Sequence, residues 1–333
     1  MPSIVSKGKA MKACAGIDVS KAKLDLAVLV PGKKPLSFTV DNTPSGHRKA
    51  LERAGKAAAG LPLHFCMEAT ASYHLPFALF LVEAGGLVSV ENPRQVKHFG
   101  LAMGALQKTD RADALTIARY AERMAPKPWK LADPVCRELV ALDRRVTELK
   151  AMAVQETNRL EQPCLPRLVV EGVAASVRAF QEQVTALDAR IDELVEASEE
   201  LSAQARLLET VPGVGRRAAV GLLAEAGDLS CYAAAQDLAA RFGLNPLQRK
   251  SGSSVKGRTK ISKAGNAHAR ARLYMPALVA TKRNPVVKAF YERLLARHMP
   301  PKAALVAAER KLVMICYGVL KSGRPFDPEY RRA

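Results

Sequence analysis

The chain has no apolar run long enough to cross a membrane. Its hydrophobic stretches all fall short of the roughly 20 residues that a spanning helix needs. Its N-terminus also lacks the charged-then-apolar order of a secretory signal. These absences argue against an integral membrane protein and predict a cytoplasmic one.

The chain also lacks the cysteine spacing of a zinc site or of a disulfide framework. Its 6 cysteines are scattered, no two of them form a Cys-x-x-Cys pair, and most lie inside apolar runs. Free cysteine is among the residue types most often buried. We therefore expect reduced thiols in the hydrophobic core.

Acidic residues are scarce relative to basic ones. The 333 residues include 51 Lys and Arg but 32 Asp and Glu, which gives a formal net charge of +19, and 48% are hydrophobic. This length and composition predict a folded protein of two or three domains. The basic excess favours a nucleic-acid partner, because neutralising phosphates releases counterions. A ribosomal protein or one that binds an anionic membrane would fit the same balance.

One long segment contains no acidic residue. Between Asp237 and Glu292 every charged side chain is basic. Such a stretch would repel itself without a polyanion nearby, which favours contact with nucleic-acid phosphates. The residues predicted to make these contacts are Lys250, Lys256, Arg258, Lys260, Lys263, Arg270 and Arg272.

A serine-rich loop lies at the centre of this acid-free segment. Residues 251–257 read Ser-Gly-Ser-Ser-Val-Lys-Gly. Three interpretations fit: a solvated linker, a loop that grips phosphate through hydroxyl and amide groups, or the carrier of a serine nucleophile that forms a covalent intermediate. The pattern of residues does not choose among them.

Four carboxylates stand where a folded scaffold would direct them to one point. Asp18 and Glu68 end apolar, strand-like runs, and Asp110 and Asp113 share one face at the start of a helical pattern. Oxygen ligands suit Mg²⁺, and two such ions can stabilise both oxygens of an in-line phosphoryl transfer. Each residue alone has a second interpretation, as a turn or helix cap. Together they predict a metal site for cutting nucleic acid.

Strand-like and helix-like patterns alternate along the first 90 residues. Residues 13–19, 24–30 and 36–40 predict a meander of three strands, and helices then alternate with strands at 61–67 and 87–90. This order indicates an α/β layer fold with a mixed sheet. Parallel neighbours would bring the ends of the first strand and of the 61–67 strand to one edge, where ligands usually bind.

The middle of the chain has a heptad pattern. Apolar residues recur at steps of three and four over 139–153 and again over 177–194, with Pro163 and Pro166 between the two sets. This spacing predicts a helical hairpin or coiled coil, and hence a dimer; two amphipathic helices lying on a core are the alternative. An all-helical region follows residue 201. Its Pro-Gly-Val-Gly turn at 212–215 is similar to a helix-hairpin-helix element or is a simple interhelical turn.

Five motifs occur in order along the chain: Gly16-Ile17-Asp18-Val19-Ser20-Lys21, Met67-Glu68-Ala69-Thr70, Lys108-Thr109-Asp110-Arg111-Ala112-Asp113-Ala114, Pro212-Gly213-Val214-Gly215 and Ser251-Gly252-Ser253-Ser254-Val255-Lys256-Gly257. Together they resemble the motifs of the IS110 family, the DEDD-type, bridge-RNA-guided transposases of bacterial insertion sequences. The resemblance implies a RuvC-like domain of the RNase H fold at residues 1–130, a helical coiled coil at 131–200 and an all-α transposase domain at 201–333.

The resemblance also implies an activity and its partners. It implies that DNA strands are cut and exchanged through a covalent phosphoserine link, in a site that two subunits complete together. The expected partners are donor and target DNA, a structured noncoding bridge RNA, and further copies of the chain in a dimer or tetramer in the bacterial cytoplasm. The implied site residues are Asp18, Glu68, Asp110 and Asp113 as Mg²⁺ ligands and Ser251 as nucleophile, with Ser253 and Ser254 as alternatives.

Two other functions remain consistent with the residues. A RuvC-like junction nuclease would hydrolyse DNA with metal-activated water and would need the carboxylates alone. A non-enzymatic scaffold for RNA or DNA would use only the basic surface.

Overall fold

The computed structural model describes residues 12–70, 72–104, 109–131, 133–247, 250–251, 255–256 and 260–330. The chain forms two compact units, Met1–Leu131 and Ala132–Ala333. Within the described ranges no helix is both long enough and apolar enough to cross a membrane.

A five-stranded mixed sheet forms the centre of the first unit. In space its order is β3-β2-β1-β4-β5: β1 and β3 pair with β2 in antiparallel fashion, and β4 lies parallel to both β1 and β5. The predicted mixed sheet is therefore confirmed. The strands are β1 Ala13–Val19, β2 Lys23–Leu29, β3 Leu36–Asp41, β4 Leu63–Glu68 and β5 Leu87–Glu91.

Helices cover both faces of this sheet. Helices α1 and α2 pack on one face, α4 packs across β1, β2 and β4 on the other, and α3 packs on α4. Helix α3 was not predicted from the sequence, although Asn92 caps it and Pro93 occupies its first turn, a common helix start. The helices are α1 Pro44–Ala58, α2 Leu75–Glu83, α3 Pro93–Ala102 and α4 Asp110–Met124.

Alternation along β1 decides which side chains meet α4. Successive side chains of a strand point to opposite faces. Ile17 and Val19 lie in the core beneath α1 and α2, whereas Cys14 packs with Ile117 and Tyr120 of α4. Asp18 lies an even number of residues after Cys14, so its carboxylate is on the same face of the sheet, which α4 covers.

In the residues that the structure describes, the second unit is helical apart from two short ladders, in which β6 pairs with β9 and β7 pairs with β8. The predicted helical character of this region is confirmed, and the short ladders were not predicted. Its elements are α5 Pro134–Leu160, α6 Arg167–Glu196, α7 Glu199–Glu209, α8 Arg216–Ala226, a 3-10 turn Leu229–Cys231, α9 Ala235–Arg241, β6 Pro246–Leu247, β7 Lys250–Ser251, β8 Val255–Lys256, β9 Lys260–Ile261, α10 Ala267–Arg283, α11 Pro285–Ala296 and α12 Pro301–Ser322.

Helices α5 and α6 form the predicted antiparallel hairpin. At its base, Leu139 and Ile191 are buried in the same core as Leu312 of α12. Near its tip, Val154 and Leu168 are 60% and 80% exposed. The hairpin thus shares a core with the C-terminal helices, while its tip presents apolar side chains to solvent. The domain boundary at residue 200 and the dimer stay predictions.

Candidate active site

A row of acidic side chains crosses the sheet on the face that α4 covers. Asp18 of β1 lies directly opposite Asp25 of β2. The pairing of Ile17 with Met67 places Glu68 of β4 level with Asp18, and Glu68 pairs in turn with Glu91 of β5. All four side chains of this carboxylate row, which are Asp25, Asp18, Glu68 and Glu91, are half-buried.

The absence of a side chain at Gly16 lets α4 approach this row. Gly16 lies two residues before Asp18 on the same face. A Cβ atom at Gly16 would overlap the carbonyl oxygen of Ala114 and the amide nitrogen of Ala118. The backbone of α4 therefore lies directly against β1, and its first turn carries Asp110 and Asp113.

These carboxylates lie close enough for their charges to act on one another. Burial, together with the charges of Asp113, Asp110 and Asp25, raises the pKa of Asp18 to about 6. Burial, together with the charges of Asp18 and Asp113, raises the pKa of Glu68 to about 7. No Lys or Arg of the described ranges offsets either shift. Strongly raised carboxylate pKa values of this kind are typical of functional sites.

Neighbouring residues fill the capping roles that offered a second interpretation of the acids. The N-cap of α4 is Thr109, whose side chain accepts a hydrogen bond from the amide of Ala112, so Asp110 lies inside the helix. After β1, Ser20 closes the turn by bonding both the amide and the carbonyl of Lys23, at 3.0 and 2.9 Å. Neither Asp18 nor Asp110 is therefore needed as a cap.

The carboxylates suit a hard divalent cation in their chemistry, because such ions take oxygen ligands. Among the described residues, no three His, Cys, Asp or Glu side chains are drawn together tightly enough to enclose a metal ion. Mg²⁺ does not require such a cage, because one or two carboxylates usually hold it together with waters and substrate phosphates. Asp18, Glu68, Asp110 and Asp113 thus fit an ion whose shell is completed by a phosphate.

Two acids of the row, Asp25 and Glu91, were missed by the sequence reading. The hydroxyl of Thr39 donates a 2.5 Å hydrogen bond to Oδ1 of Asp25. The hydroxyl of Tyr120 donates to Glu91 at 3.4 Å, and burial raises the pKa of Glu91. The alternation of side chains along each strand could have identified them, since both acids lie on the sheet face that carries Asp18 and Glu68.

The backbone of Ser251 lies in a short antiparallel ladder of the second unit. Lys250 pairs with Lys256 and Ser251 with Val255. A second ladder, β6 with β9, closes the same hairpin nearer its base. The predictions for Ser253, Ser254 and Arg258 fall outside the described residues, as do those for the side chains of Lys250, Ser251 and Lys256.

The base of this serine hairpin is tightly built. The amide of Asn266 donates to the carbonyl of Arg241 at 2.7 Å, and that of Lys263 donates to the carbonyl of Gly243 at 3.0 Å. A Cβ atom at Gly265 would overlap the backbone of Arg241 and Gly243. The chain therefore enters and leaves the hairpin at a fixed point.

A polar network fixes the helix that follows the hairpin. Asn266 caps α10 by accepting from the amides of His268 and Ala269, and its amide group donates to buried Glu225 of α8. Arg144 of α5 binds the same carboxylate through two hydrogen bonds of 3.0 and 3.1 Å. Paired and hydrogen-bonded in this way, Glu225 joins three helices.

Two of the basic residues predicted to contact nucleic acid make contacts within the protein. The guanidinium of Arg272 pairs with Asp143 at 2.6 Å. That of Arg270 donates to the carbonyl of Phe242 at 2.9 Å. Lys260 and Lys263 are exposed. Nucleic-acid binding by all seven basic residues stays a prediction.

The raised pKa values predict a pH-dependent stability. An acid whose pKa is higher in the folded chain destabilises that state once it ionises. The penalty is absent below the ordinary values of 3.8 and 4.5 and is complete above about 6 for Asp18 and about 7 for Glu68. Without divalent cations, lowering the pH across this window should therefore raise the stability contributed by the site.

Thermal unfolding in a chelating buffer at about pH 8 and about pH 5 measures this dependence. Buried Glu309 of the second unit, whose pKa is also raised to about 7, acts in the same direction. The comparison is therefore between the wild type and Glu68→Gln, which should raise the melting temperature at the higher pH and flatten the profile. The same dependence of melting temperature on pH in both proteins would contradict the raised pKa of Glu68.

The order β3-β2-β1-β4-β5, with acids on the neighbouring strands β1 and β4 and on the helix across them, is that of an RNase H-like domain. Residues 15–168 match a family model described as a transposase of the IS110 DEDD type, and residues 205–292 match one described as transposase, IS116/IS110/IS902 family. The chain belongs to the IS110 family of transposases.

Curated relatives support this assignment. The pilin gene-inverting protein of Moraxella bovis is 31% identical over 266 residues, which cover 80% of this chain and 82% of the relative. An uncharacterized 43.6 kDa protein of insertion element IS110 from Streptomyces coelicolor is 30% identical over 63% of this chain and 48% of its own length. A RuvC structure from T. thermophilus, in complex with a Holliday junction substrate, is 23% identical, with a TM-score of 0.28 over 35% of this chain and 99% of that one.

Proposed function

We propose that this transposase cuts and rejoins DNA strands of an insertion sequence, with Mg²⁺ held by Asp18, Glu68, Asp110 and Asp113 and with Ser251 as nucleophile. The convergence of the four carboxylates beneath the first turn of α4 is the observation that carries the proposal. Membership of a transposase family makes DNA the substrate.

The scaffold supports the role given to each carboxylate. Asp18 and Glu68 stand on adjacent parallel strands, and α4, seated on Gly16, brings Asp110 and Asp113 to them. Side chains on packed strands and helices hold a reacting group more precisely than side chains on loops. A divalent cation bound there supplies positive charge for the scissile phosphate and its leaving oxygen.

The serine gives the reaction its rejoining step. The Oγ atom of Ser251 would bond to the phosphorus, the bond to one DNA oxygen would break, and the serine proton would pass to that oxygen. A hydroxyl of the incoming strand would then reverse these changes and free the serine. The total number of phosphodiester bonds is conserved. The anchored hairpin base and the acid-free sequence segment around Ser251 support this assignment.

The name of one relative also favours rejoining over hydrolysis alone. The Moraxella protein is named for inverting a pilin gene, and inverting a segment requires that cut ends be joined again. Hydrolysis by metal-activated water, the second candidate, would leave ends that need another enzyme. The carboxylates by themselves fit either chemistry.

We extend the proposal to a bridge RNA and to an oligomer. The net charge of +19 suits binding of the phosphates of an RNA guide in addition to those of DNA. The site is proposed to be completed by the serine hairpin of another subunit, so a dimer or tetramer is required. The exposed apolar side chains at the tip of the α5–α6 hairpin, including Val154 and Leu168, suit contact between copies.

Detection of a covalent protein–DNA adduct after denaturation distinguishes serine chemistry from hydrolysis by water. Purified protein is incubated with Mg²⁺ and DNA that carries the element ends, and the reaction is then stopped with denaturant. Serine chemistry predicts DNA that remains bound to the denatured chain, whereas hydrolysis predicts cut DNA without an adduct. An adduct absent at every time point, despite cutting, would favour the hydrolytic nuclease.

Asp18→Asn should reduce cutting by at least about 100-fold, the scale seen when one charge-stabilising group of an active site is removed. The matched control is Asp41→Asn, which removes the same charge from an exposed position at the end of β3. Both variants should bind DNA as the wild type does. Full cutting by Asp18→Asn would show that cutting does not depend on this carboxylate and would reject the proposed metal site.

A further inference from the structure

We propose that Asp25 is a fifth carboxylate of the metal site, which binds the divalent cation or one of its waters beside Asp18. This inference rests on the proposed function, because it adds a residue to the same site. Within the described residues, Asp25 extends the acidic set from β1 onto β2.

The sheet register places Asp25 next to Asp18. The two residues are direct partners in the antiparallel pair of β1 and β2. The Cβ atoms of such partners lie roughly 4.5–5.5 Å apart on the same face. This register places the Asp25 carboxylate at the rim of the proposed site.

Thr39 holds the Asp25 carboxylate in place from the opposite side. Thr39 is the direct partner of Asp25 on β3, and its hydroxyl donates to Oδ1 at 2.5 Å. A hydrogen bond from a neighbouring residue to one oxygen of a carboxylate orients that carboxylate as a metal ligand. We therefore assign Oδ2 of Asp25 to the cation or to its water.

Charge distinguishes this role from a purely structural one. Like charges directly opposite each other in an antiparallel pair destabilise the sheet. An asparagine would accept the same hydrogen bond from Thr39 without that repulsion. A cation bound near Asp18 and Asp25 would offset their repulsion and make the pair stabilising.

The test measures thermal unfolding of the full chain during titration with Mg²⁺ or Mn²⁺ at low salt and about pH 8. Asp25→Asn should melt higher than the wild type in chelator, because the repulsion with Asp18 is relieved. It should also need at least roughly tenfold more cation for half of the cation-dependent gain, and its cutting should need the same excess. Asp41→Asn, the control, should not change the cation requirement.

A structural role predicts the opposite pattern. Asp25→Asn would then melt lower by the same amount with and without cation, and its cation requirement would match that of the wild type. That result overturns the inference. A wild type with no cation response would instead reject the metal site itself, and the inference with it.

Thr39→Val provides a second variant, which keeps the charge and removes the hydroxyl that orients it. It should raise the cation requirement by a smaller factor than Asp25→Asn, and it carries the test if Asp25→Asn does not fold. An unchanged requirement in Thr39→Val would then overturn the inference.

Discussion

Ser251→Ala should abolish the covalent adduct and reduce strand exchange by at least roughly 1,000-fold, the scale of losing an enzyme nucleophile. The substitution removes the atom proposed to attack the phosphate and leaves the carboxylates in place. DNA binding should persist, because phosphate contacts come from many cations. Adduct is measured on denaturing gels, exchange by the yield of joined product, and binding by titration at fixed salt.

The matched controls lie two and three residues further along the chain. Ser253→Ala and Ser254→Ala remove the same group from the same small-residue segment, and both should keep the adduct and the exchange. Loss of the adduct in one of them, with normal activity in Ser251→Ala, would move the nucleophile to that residue. Normal exchange in all three would reject serine chemistry.

The sequence predicted the first unit well because its local signals agree. The meander has apolar strands separated by the turn Pro31-Gly32, and β1 to β3 begin and end within one or two residues of the predicted positions. Helix α3 does not follow from the sequence pattern, although Asn92-Pro93 is the pair that starts the helix. The same two residues fit a loop and a helix cap, and only packing distinguishes them.

The candidate site was predictable where a carboxylate ends an apolar run. Asp18 and Glu68 have that position, whereas Asp25 lies in the middle of a strand and looks like an ordinary solvent-facing residue. Its role depends on register, because a slip of one residue would turn it to the opposite face. A single sequence contains no direct record of register, so the partnership of Asp25 with Asp18 emerges only in the folded sheet.

Basic residues show the same limit. Arg272 lies in a segment without acids, so its sequence context predicts a free cation. In the fold its partner is Asp143 of α5, a residue distant in the chain. Net charge over a window describes a polyanion-binding tendency, but it cannot assign individual side chains to phosphate or to an internal partner.

Gly16→Ala should separate the two halves of the carboxylate site. The added Cβ would overlap backbone atoms of Ala114 and Ala118, which cannot swing aside as a flexible side chain would. Helix α4 must therefore shift away from β1 and carry Asp110 and Asp113 away from Asp18. Overpacking of this kind costs about 1–3 kcal/mol of stability, and misplacing catalytic groups by about 1 Å can cost roughly 100-fold in rate.

Gly55→Ala is the control for the same chemical change. Nothing lies near a Cβ atom at Gly55, which is in the interior of α1, so this variant should gain stability from helix propensity. The melting temperature and the rate of cutting should therefore both fall for Gly16→Ala. For Gly55→Ala both should stay at the wild-type level or rise. If Gly16→Ala instead melts and cuts like the wild type, α4 does not depend on close contact with β1, and the geometry proposed for Asp110 and Asp113 fails.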